Sequence, residues 1–533
     1  MIQRRIAGPR FVVNGGITIL AIAFGAVLLA PFLTYPFGRD HGVFATAADI
    51  LARGGVPYRD IWDVKPPGIF YLYQASFSLF GRSTAAPRIL DLIWTLTTAV
   101  TVYVLGRRLF RHWIAVAAAF FFLIRYVAGF GYWNSAQPDG FASLPLSLAA
   151  IALLTAEHRR SLWMASLAGA LIGVAMLLKP TLGIFILLPI ITAMADDRHP
   201  IPARAARASA YIIGGIFVIG GAVLLIWRAG ALHDTGEVLI QWNLAYSRLR
   251  HPVTQASNPV IQTFRFLLGI PRHYLFPVGL LALIGAFDLV IRPKSGQTRW
   301  LAPGWALSIM ASVWLQGKFY TYHWLPVLPP LALLSAQGID TINLALRRTL
   351  PQRAARAIAT TGALALIALL GLAYWTSLQW PIRVLLRATS PNVLVERYGR
   401  HGDFSLPADA AVASFIGERT DPNDVIFIWG FEPLIYFLAD RQPASRFIYT
   451  VPLVTPWSPA EWRSELLRDL QTRRPAYFVV THNDILPWMT RRLDDSASQL
   501  AGFEDLSTWL HHHYEAVEHI EDFDIWRLKE STD

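Results

Sequence analysis

Between Phe11 and Ser390 the chain alternates long apolar runs with short polar segments. A hydrocarbon layer about 30 Å thick is crossed by roughly 20 apolar residues in a helix. Eleven runs approach that length, beginning near Phe11, Arg88, Trp113, Gly140, Leu162, Thr181, Ala210, His273, Trp300, His323 and Ala357. Several are short or carry Gly and Pro, which blurs their ends. The pattern predicts a polytopic α-helical membrane protein with about 11 transmembrane helices. The first run, Phe11–Leu33, exceeds a signal-peptide core and lacks a small-x-small cleavage site, so it reads as an uncleaved span.

Beyond Ser390 the periodicity changes. Asp424–Gly430 reads as a buried strand ending in a glycine turn, Glu432–Ala439 as a helix, and Arg446–Val451 and Ala476–Thr481 as further strands. A helix is expected over roughly Ala460–Thr472, and Glu515–Arg527 supplies two more strands. The chain thus divides into a membrane domain, residues 1–389, and a small C-terminal α/β domain, residues 390–533. That tail has no glycine-rich phosphate loop and no nucleophile elbow, so it is assigned an accessory role such as acceptor binding. His511, His512 and His513 are consecutive and cannot share one helix face as metal ligands would; they read as a solvated run.

Composition sharpens the class. Of 533 residues, 54% are apolar and only 16% charged, against about 25% in soluble domains. The absence of cysteine excludes disulfides, zinc–thiolate and iron–sulfur sites, and thiol nucleophiles. The net charge of +11 divides unevenly: from Ser390 onward 23 acids outnumber 13 bases, leaving the membrane part at +21. Such basicity would point to nucleic acid, but here it sits in short clusters between apolar runs, and no nucleic-acid partner is expected. The clusters are Arg4, Arg5 and Arg10; Arg107, Arg108 and Arg111; Arg159 and Arg160; Arg198, Arg204 and Arg207; Arg292, Lys294 and Arg299; and Arg347, Arg348, Arg353 and Arg356. They fall in every second connection. Positive loops stay cytoplasmic, so the amino terminus is inside and, the number of spans being odd, the tail is outside. The outer segments are the large loop 34–87 with its juxtamembrane helices, Gly129–Asp139, Arg228–Arg272 and the tail. No repeat of 20–50 residues and no inverted symmetry is visible.

Carboxylates at a membrane boundary are expensive to bury and are functional candidates. Asp40, in Pro36-Phe-Gly-Arg-Asp-His-Gly42, follows the first span and precedes an amphipathic stretch; the structural alternative is a helix cap. Asp139, in Gln137-Pro-Asp-Gly140, has the same alternative, with Tyr132 and Trp133 beside it as a sugar-binding rim or an aromatic belt. In Asp60-Ile-Trp-Asp-Val-Lys-Pro-Pro-Gly68, two prolines hold Lys65 as a preset cation suited to phosphate, its alternative being simple snorkelling. Asp63 orients Lys65 or binds acceptor, while Trp62 and Tyr71 offer stacking faces. Lys179, Lys318 and His323 lie at the same depth and complete a cationic site or anchor their spans. The spacing of acids names no metal; Asp40 with Asp139 is the one pair suited to sharing a divalent ion, and no cofactor is required by the sequence.

These residues carry a resemblance. A long first outer loop has Arg39-Asp40 just after span one, then Gly55-Val-Pro-Tyr-Arg-Asp60 and Lys65-Pro-Pro-Gly68; later come an Asp after span three and Lys318-x4-His323-x2-Pro326-x2-Pro-Pro330. The whole resembles the polytopic C-type (GT-C fold) glycosyltransferases of the protein-mannosyltransferase and aminoarabinose-transferase kind. The resemblance implies a polyprenyl-phosphate sugar donor used at the outer face of the plasma (inner) membrane. It implies Asp40 as base or acceptor-positioning group and Lys65 as donor-phosphate ligand. Where that family often has a second acid after the first, this chain has His41. The expected reaction is an inverting transfer to an acceptor hydroxyl on a lipid, polysaccharide or protein: Asp40 takes the proton and cations stabilise the leaving phosphate. The rival readings are a transporter or flippase of lipid-linked sugars, and a membrane-anchored assembly protein.

Overall fold

The structure, a computed structural model, describes residues 15–128, 132–247, 277–291, 300–401 and 403–530, with backbone alone for 15–20 and 401. The basic clusters at Arg4–Arg10 and at Arg292, Lys294 and Arg299 lie outside the described residues. So do most of the third outer segment and the start of the run near His273.

Where its residues are described, each predicted apolar run falls on a helix or helical segment. Among the described residues five helices are long and apolar enough to cross a membrane: Ala86–Leu109, Pro138–Arg159, Ile201–Arg228, Thr321–Thr349 and Gln352–Leu385. Ala21–Thr34 and Arg39–Ala52, bent by 90° at their junction, make a sixth when taken as one broken span. The other runs form shorter apolar helices, among them His112–Val127, Leu162–Met176 and Val278–Ile291. The run near Thr181 opens as a tight turn of helix, Pro180–Ile186, before Leu187–Met194. Neighbouring helices approach through glycine: a side chain on Gly169 or Gly214 would strike the facing backbone at Tyr211 or Ser166, and one on Gly285 or Gly338 the backbone at Leu334 or Leu281. Small residues allow this dense packing where lipid supplies no hydrophobic drive.

The helices reverse so that their basic ends gather. Arg108 donates to Thr155 Oγ1 at 2.7 Å, Arg111 lies 4.0 Å from Asp340, and Arg207 pairs with Glu157 and Asp196 at 2.9 and 3.1 Å. The opposite ends carry loop 34–87, the turn at Tyr132–Gln137, Lys179, Lys318 and the tail.

The tail opens with helix Asn392–Tyr398 and a hairpin, β1 Arg400–His401 and β2 Phe404–Ser405, and then forms a five-stranded sheet. Its strands are β3 Val425–Trp429, β4 Gln442–Pro443, β5 Tyr477–Thr481, β6 Tyr514–Ile520 and β7 Phe523–Leu528, in the order β4-β3-β5-β7-β6. β3 is parallel to β4 and β5; β7 is antiparallel to β5 and β6. Helices Leu406–Gly417, Leu434–Ala439 and Ala460–Arg473 connect them. Arg446–Val451 is not a strand, contrary to expectation. The edge position belongs to Gln442–Pro443, where Pro443 has no N–H to extend a ladder. Beyond it the chain turns, because Arg446 is drawn away to Glu465 and the Tyr58 carbonyl. His511 and His512 stay exposed on helix Glu504–His513.

The tail is docked on the first loop. Helix Arg39–Ala52 crosses Leu434 so closely that a Cβ on Gly42 would sit 2.7–2.8 Å from Leu434 backbone and Cβ atoms. Thr46 donates to the Pro433 carbonyl at 2.9 Å, and Arg82 bridges Asp49 and the Phe437 carbonyl. Gly42→Val is expected to cost about 1–3 kcal/mol by overpacking, read as a lower thermal midpoint and faster proteolysis at the domain junction; an unchanged midpoint would show that the crossing has slack.

Candidate active site

Helix Arg39–Ala52 begins at Gly38, not at Asp40, so Asp40 is free of the capping role. Gly38 is required because its backbone lies flat on the Trp133 indole, where a Cβ would collide. His41, buried, accepts from the Gly38 N–H through Nδ1 (3.0 Å) and donates through Nε2 to the Ser135 carbonyl (2.8 Å). A carboxylate here could not make both bonds. Asp40 sits in the first helical turn, where the helix dipole favours an anion. Gln137 Nε2 reaches its Oδ2 at 3.4 Å and Lys65 Nζ at 4.0 Å.

Lys65 is fixed along its backbone. Its N–H donates to Asp63 Oδ1 (2.8 Å) and its carbonyl accepts from Tyr58 Oη (2.9 Å). Pro66 and Pro67 then lead to Gly68, whose N–H donates to the Leu177 carbonyl at 3.1 Å; a Cβ there would fall 2.6 Å from that oxygen. This close approach brings the Lys65 turn beside Lys179. The Lys65 ammonium lies 3.4 Å from Tyr322 Oη and above the Tyr322 ring. Burial opposes its charge, but Asp40, Asp63 and Asp139 together hold its pKa above the ordinary lysine value. Asp63 is buried and accepts from Tyr449 Oη of the tail at 2.8 Å; burial pushes its carboxyl up to about 6.

Asp139 also sits inside a first turn, after Gln137 and Pro138, and pairs with Lys179 at 3.3 Å. Its other oxygen has no hydrogen-bond partner, and it reaches the cavity only through Lys179. Lys318 lies 3.7 Å over the Tyr246 ring; burial and Arg491 bring its pKa down to about 8. His323 is wedged edge-on between Tyr320 and Tyr322. Among the described residues no three His, Asp or Glu side chains are grouped to hold a metal ion, and Asp40 and Asp139 each face a lysine.

One cavity of about 900 Å³ unites these groups. Asp40, Asp63, Lys65, Lys179, Lys318, His323 and Trp133 all line it, so three of the chain's five lysines meet there. The expected stacking residues divide. Trp62 is fully buried, edge-on against Trp242, Tyr449 and Trp462, and shows no face to the cavity. Tyr132 is buried too, its hydroxyl bonded to the Tyr398 carbonyl, and Tyr71 points away on an exposed surface. Among the lining residues that sequence reasoning missed are Gln137, Tyr322, Tyr449 and Trp488. Tyr322 lies inside the Lys318–His323 motif and was within reach of it. Tyr449 and Trp488 come from the tail and carry no local signal.

Residues 64–227 match the sequence model of the family described as dolichyl-phosphate-mannose-protein mannosyltransferase. No curated protein matches the chain. Among solved structures, ArnT from Cupriavidus metallidurans bound to undecaprenyl phosphate aligns over 97% of this chain and 98% of its own, at 16% identity and a TM-score of 0.58. The same protein in the apo state aligns over 96% and 98%, at 16% identity and a TM-score of 0.59. The oligosaccharyltransferase of Archaeoglobus fulgidus in the apo form covers 87% of this chain and 69% of its own, at 14% identity and a TM-score of 0.49. In the segment that carries Lys65 and Asp139, and in its fold over nearly the whole length, the chain resembles the polytopic C-type glycosyltransferases of the protein-mannosyltransferase and aminoarabinose-transferase kind.

Proposed function

We propose that this protein is an inverting glycosyltransferase that moves a sugar from a polyprenyl-phosphate donor to an acceptor hydroxyl at the extracytoplasmic face of the plasma membrane. The observation that carries the reading is the convergence of Asp40 with Lys65, Lys179 and Lys318 on one cavity whose remaining wall is mostly apolar and aromatic. A phosphate on a greasy chain calls for this combination: cations to hold the head group and apolar walls to accept the first isoprenoid units. Undecaprenyl phosphate, bound by the ArnT relative, is a ligand of that kind. We assign the gathered basic helix ends to the cytoplasm, and with them propose that the cavity, loop 34–87 and the tail lie outside, with about eleven spans and the amino terminus inside.

The chemistry follows from the charges. The acceptor hydroxyl binds at Asp40, which takes its proton as the oxygen attacks the anomeric carbon. The new C–O bond forms while the bond from that carbon to the phosphate oxygen breaks, and the lipid phosphate leaves with the electron pair. A phosphate diester becoming a monoester needs no general acid; it needs positive charge at the leaving oxygen, and Lys65, with Lys179 and Lys318 in the same cavity, provides it. A single displacement inverts the anomeric centre. The Asp40–Lys65 separation of 4.0 Å is wide for an ion pair and leaves both groups able to turn to their own ligands.

Purified protein given a labelled polyprenyl-phosphate sugar tests the reading. Asp40→Asn is expected to lower transfer by about 10²- to 10³-fold while the thermal midpoint stays near that of the wild type; wild-type transfer by that variant would overturn the assignment of Asp40. Donor crossing sealed vesicles without transfer would identify a flippase instead. Lys179→Met strands Asp139 in a buried site and should cost about 3–5 kcal/mol of stability. Asp139→Asn in the same chain should restore most of it, as measured by thermal unfolding.

A further inference from the structure

We infer that Tyr449 of the tail is a positioning residue for the lipid-phosphate site: through the Asp63 carboxylate it sets where the Lys65 ammonium stands. This rests on the reading of Lys65 as a phosphate ligand and deepens it, because it gives the tail a defined part in donor binding.

The geometry is a three-member relay. Tyr449 Oη donates to Asp63 Oδ2 at 2.8 Å across 386 residues of sequence, and Asp63 Oδ1 accepts from the Lys65 N–H, also at 2.8 Å. Both carboxylate oxygens are thereby engaged, one on each side. Tyr58 grips the Lys65 carbonyl, and Pro66 narrows the backbone freedom of Lys65 itself. A turn of the Asp63 carboxylate would therefore move the whole Lys65 residue rather than only its flexible stem. Tyr449 is itself held: its ring lies 4.7 Å from that of Phe431 and 5.7 Å from that of Trp62. The backbone N–H of Trp62 in turn donates to the Arg446 carbonyl at 2.8 Å, three residues before Tyr449. Tail and loop are thus locked in register at the point where the relay crosses between them. Asp63 is 3% exposed, and a carboxylate is costly to bury unless its bonds are used.

The groups facing Asp63 are Lys65 and Tyr58 from its own loop, Asp40 from helix Arg39–Ala52 and Tyr449 from the tail. Lys65, its amide and Tyr449 favour the ionised carboxylate; burial and Asp40 oppose it. Removing the Tyr449 hydroxyl deletes one of the supporting donors, so Asp63 must then ionise at a higher pH. This distinguishes positioning from simple packing, because Tyr449→Phe keeps the ring.

The experiment measures the affinity of the purified full-length protein for a polyprenyl monophosphate in detergent, from about pH 5 to about pH 8. Tyr449→Phe is expected to bind about fivefold to tenfold more weakly near neutral pH, with its acid limb moved upward and its thermal midpoint close to wild type. Asp63→Asn should weaken binding by at least as much and lose the limb that Tyr449→Phe shifts. Tyr436→Phe, which removes another buried tail hydroxyl, one that accepts only from the Ile428 amide, should leave binding unchanged. Wild-type affinity and pH dependence in both Tyr449→Phe and Asp63→Asn would overturn the inference, as would failure of the wild type to bind the lipid phosphate. Binding with the expected variant effects but no sugar transfer would refute the transferase reading alone.

Discussion

A buried lysine keeps its proton only when carboxylates compensate the water it has lost. Lys65 meets that condition through Asp40, Asp63 and Asp139, and those three acids come from three parts of the fold. Asp40 stands on the helix after the first span, Asp63 two residues ahead of the lysine, and Asp139 at the head of a central membrane helix. The charge balance of one ammonium therefore requires loop, helix and span to converge. Lys179 repeats the requirement, paired with Asp139. Much of the architecture at this end can be understood as the means of meeting it.

Two close approaches make the convergence possible. Gly68 lets the Lys-Pro-Pro turn rest on the Leu177 carbonyl, which seats Lys65 next to Lys179. Gly38 lets the chain before Asp40 lie against Trp133, which seats Asp40 over Gln137. Side chains at either glycine would separate the groups whose charges must meet. His41 completes the junction as a neutral imidazole, donor on one face and acceptor on the other.

The membrane part was legible because its signal is local: apolar runs, basic punctuation, and charged residues where charge is costly. Asp40, Lys65, Lys179, Lys318 and His323 were found that way and share a cavity. What failed to show was whatever depends on the docked tail. Trp62 reads as a stacking face because it stands between two acids in an outer loop, yet Trp462 and Tyr449, some four hundred positions away, enclose it. Arg446–Val451 reads as a strand because aromatic and β-branched residues cluster there, yet its side chains are recruited outward by loop 34–87. Gln137 and Tyr322 were near the motifs but lacked charge, and polarity alone does not distinguish a lining residue from a packed one.

The tail is joined to the site by chemistry, not by contact area alone. Arg39, next to Asp40 in the chain, donates to Glu432 and Asp403 of the tail and lies over the rings of Phe404 and Phe431. Burial raises the Glu432 carboxyl, and burial with Glu432 beside it holds Asp409 well above the usual range. Helix Arg39–Ala52 is consequently held at its first residue by the tail, as the Lys65 turn is held at Asp63. The two groups proposed for the two ends of a sugar transfer, the carboxylate for the acceptor and the ammonium for the phosphate, are each braced by the same domain. A domain that moved as an independent accessory would let the distance between them drift, and a displacement in which one bond forms as another breaks does not tolerate that drift.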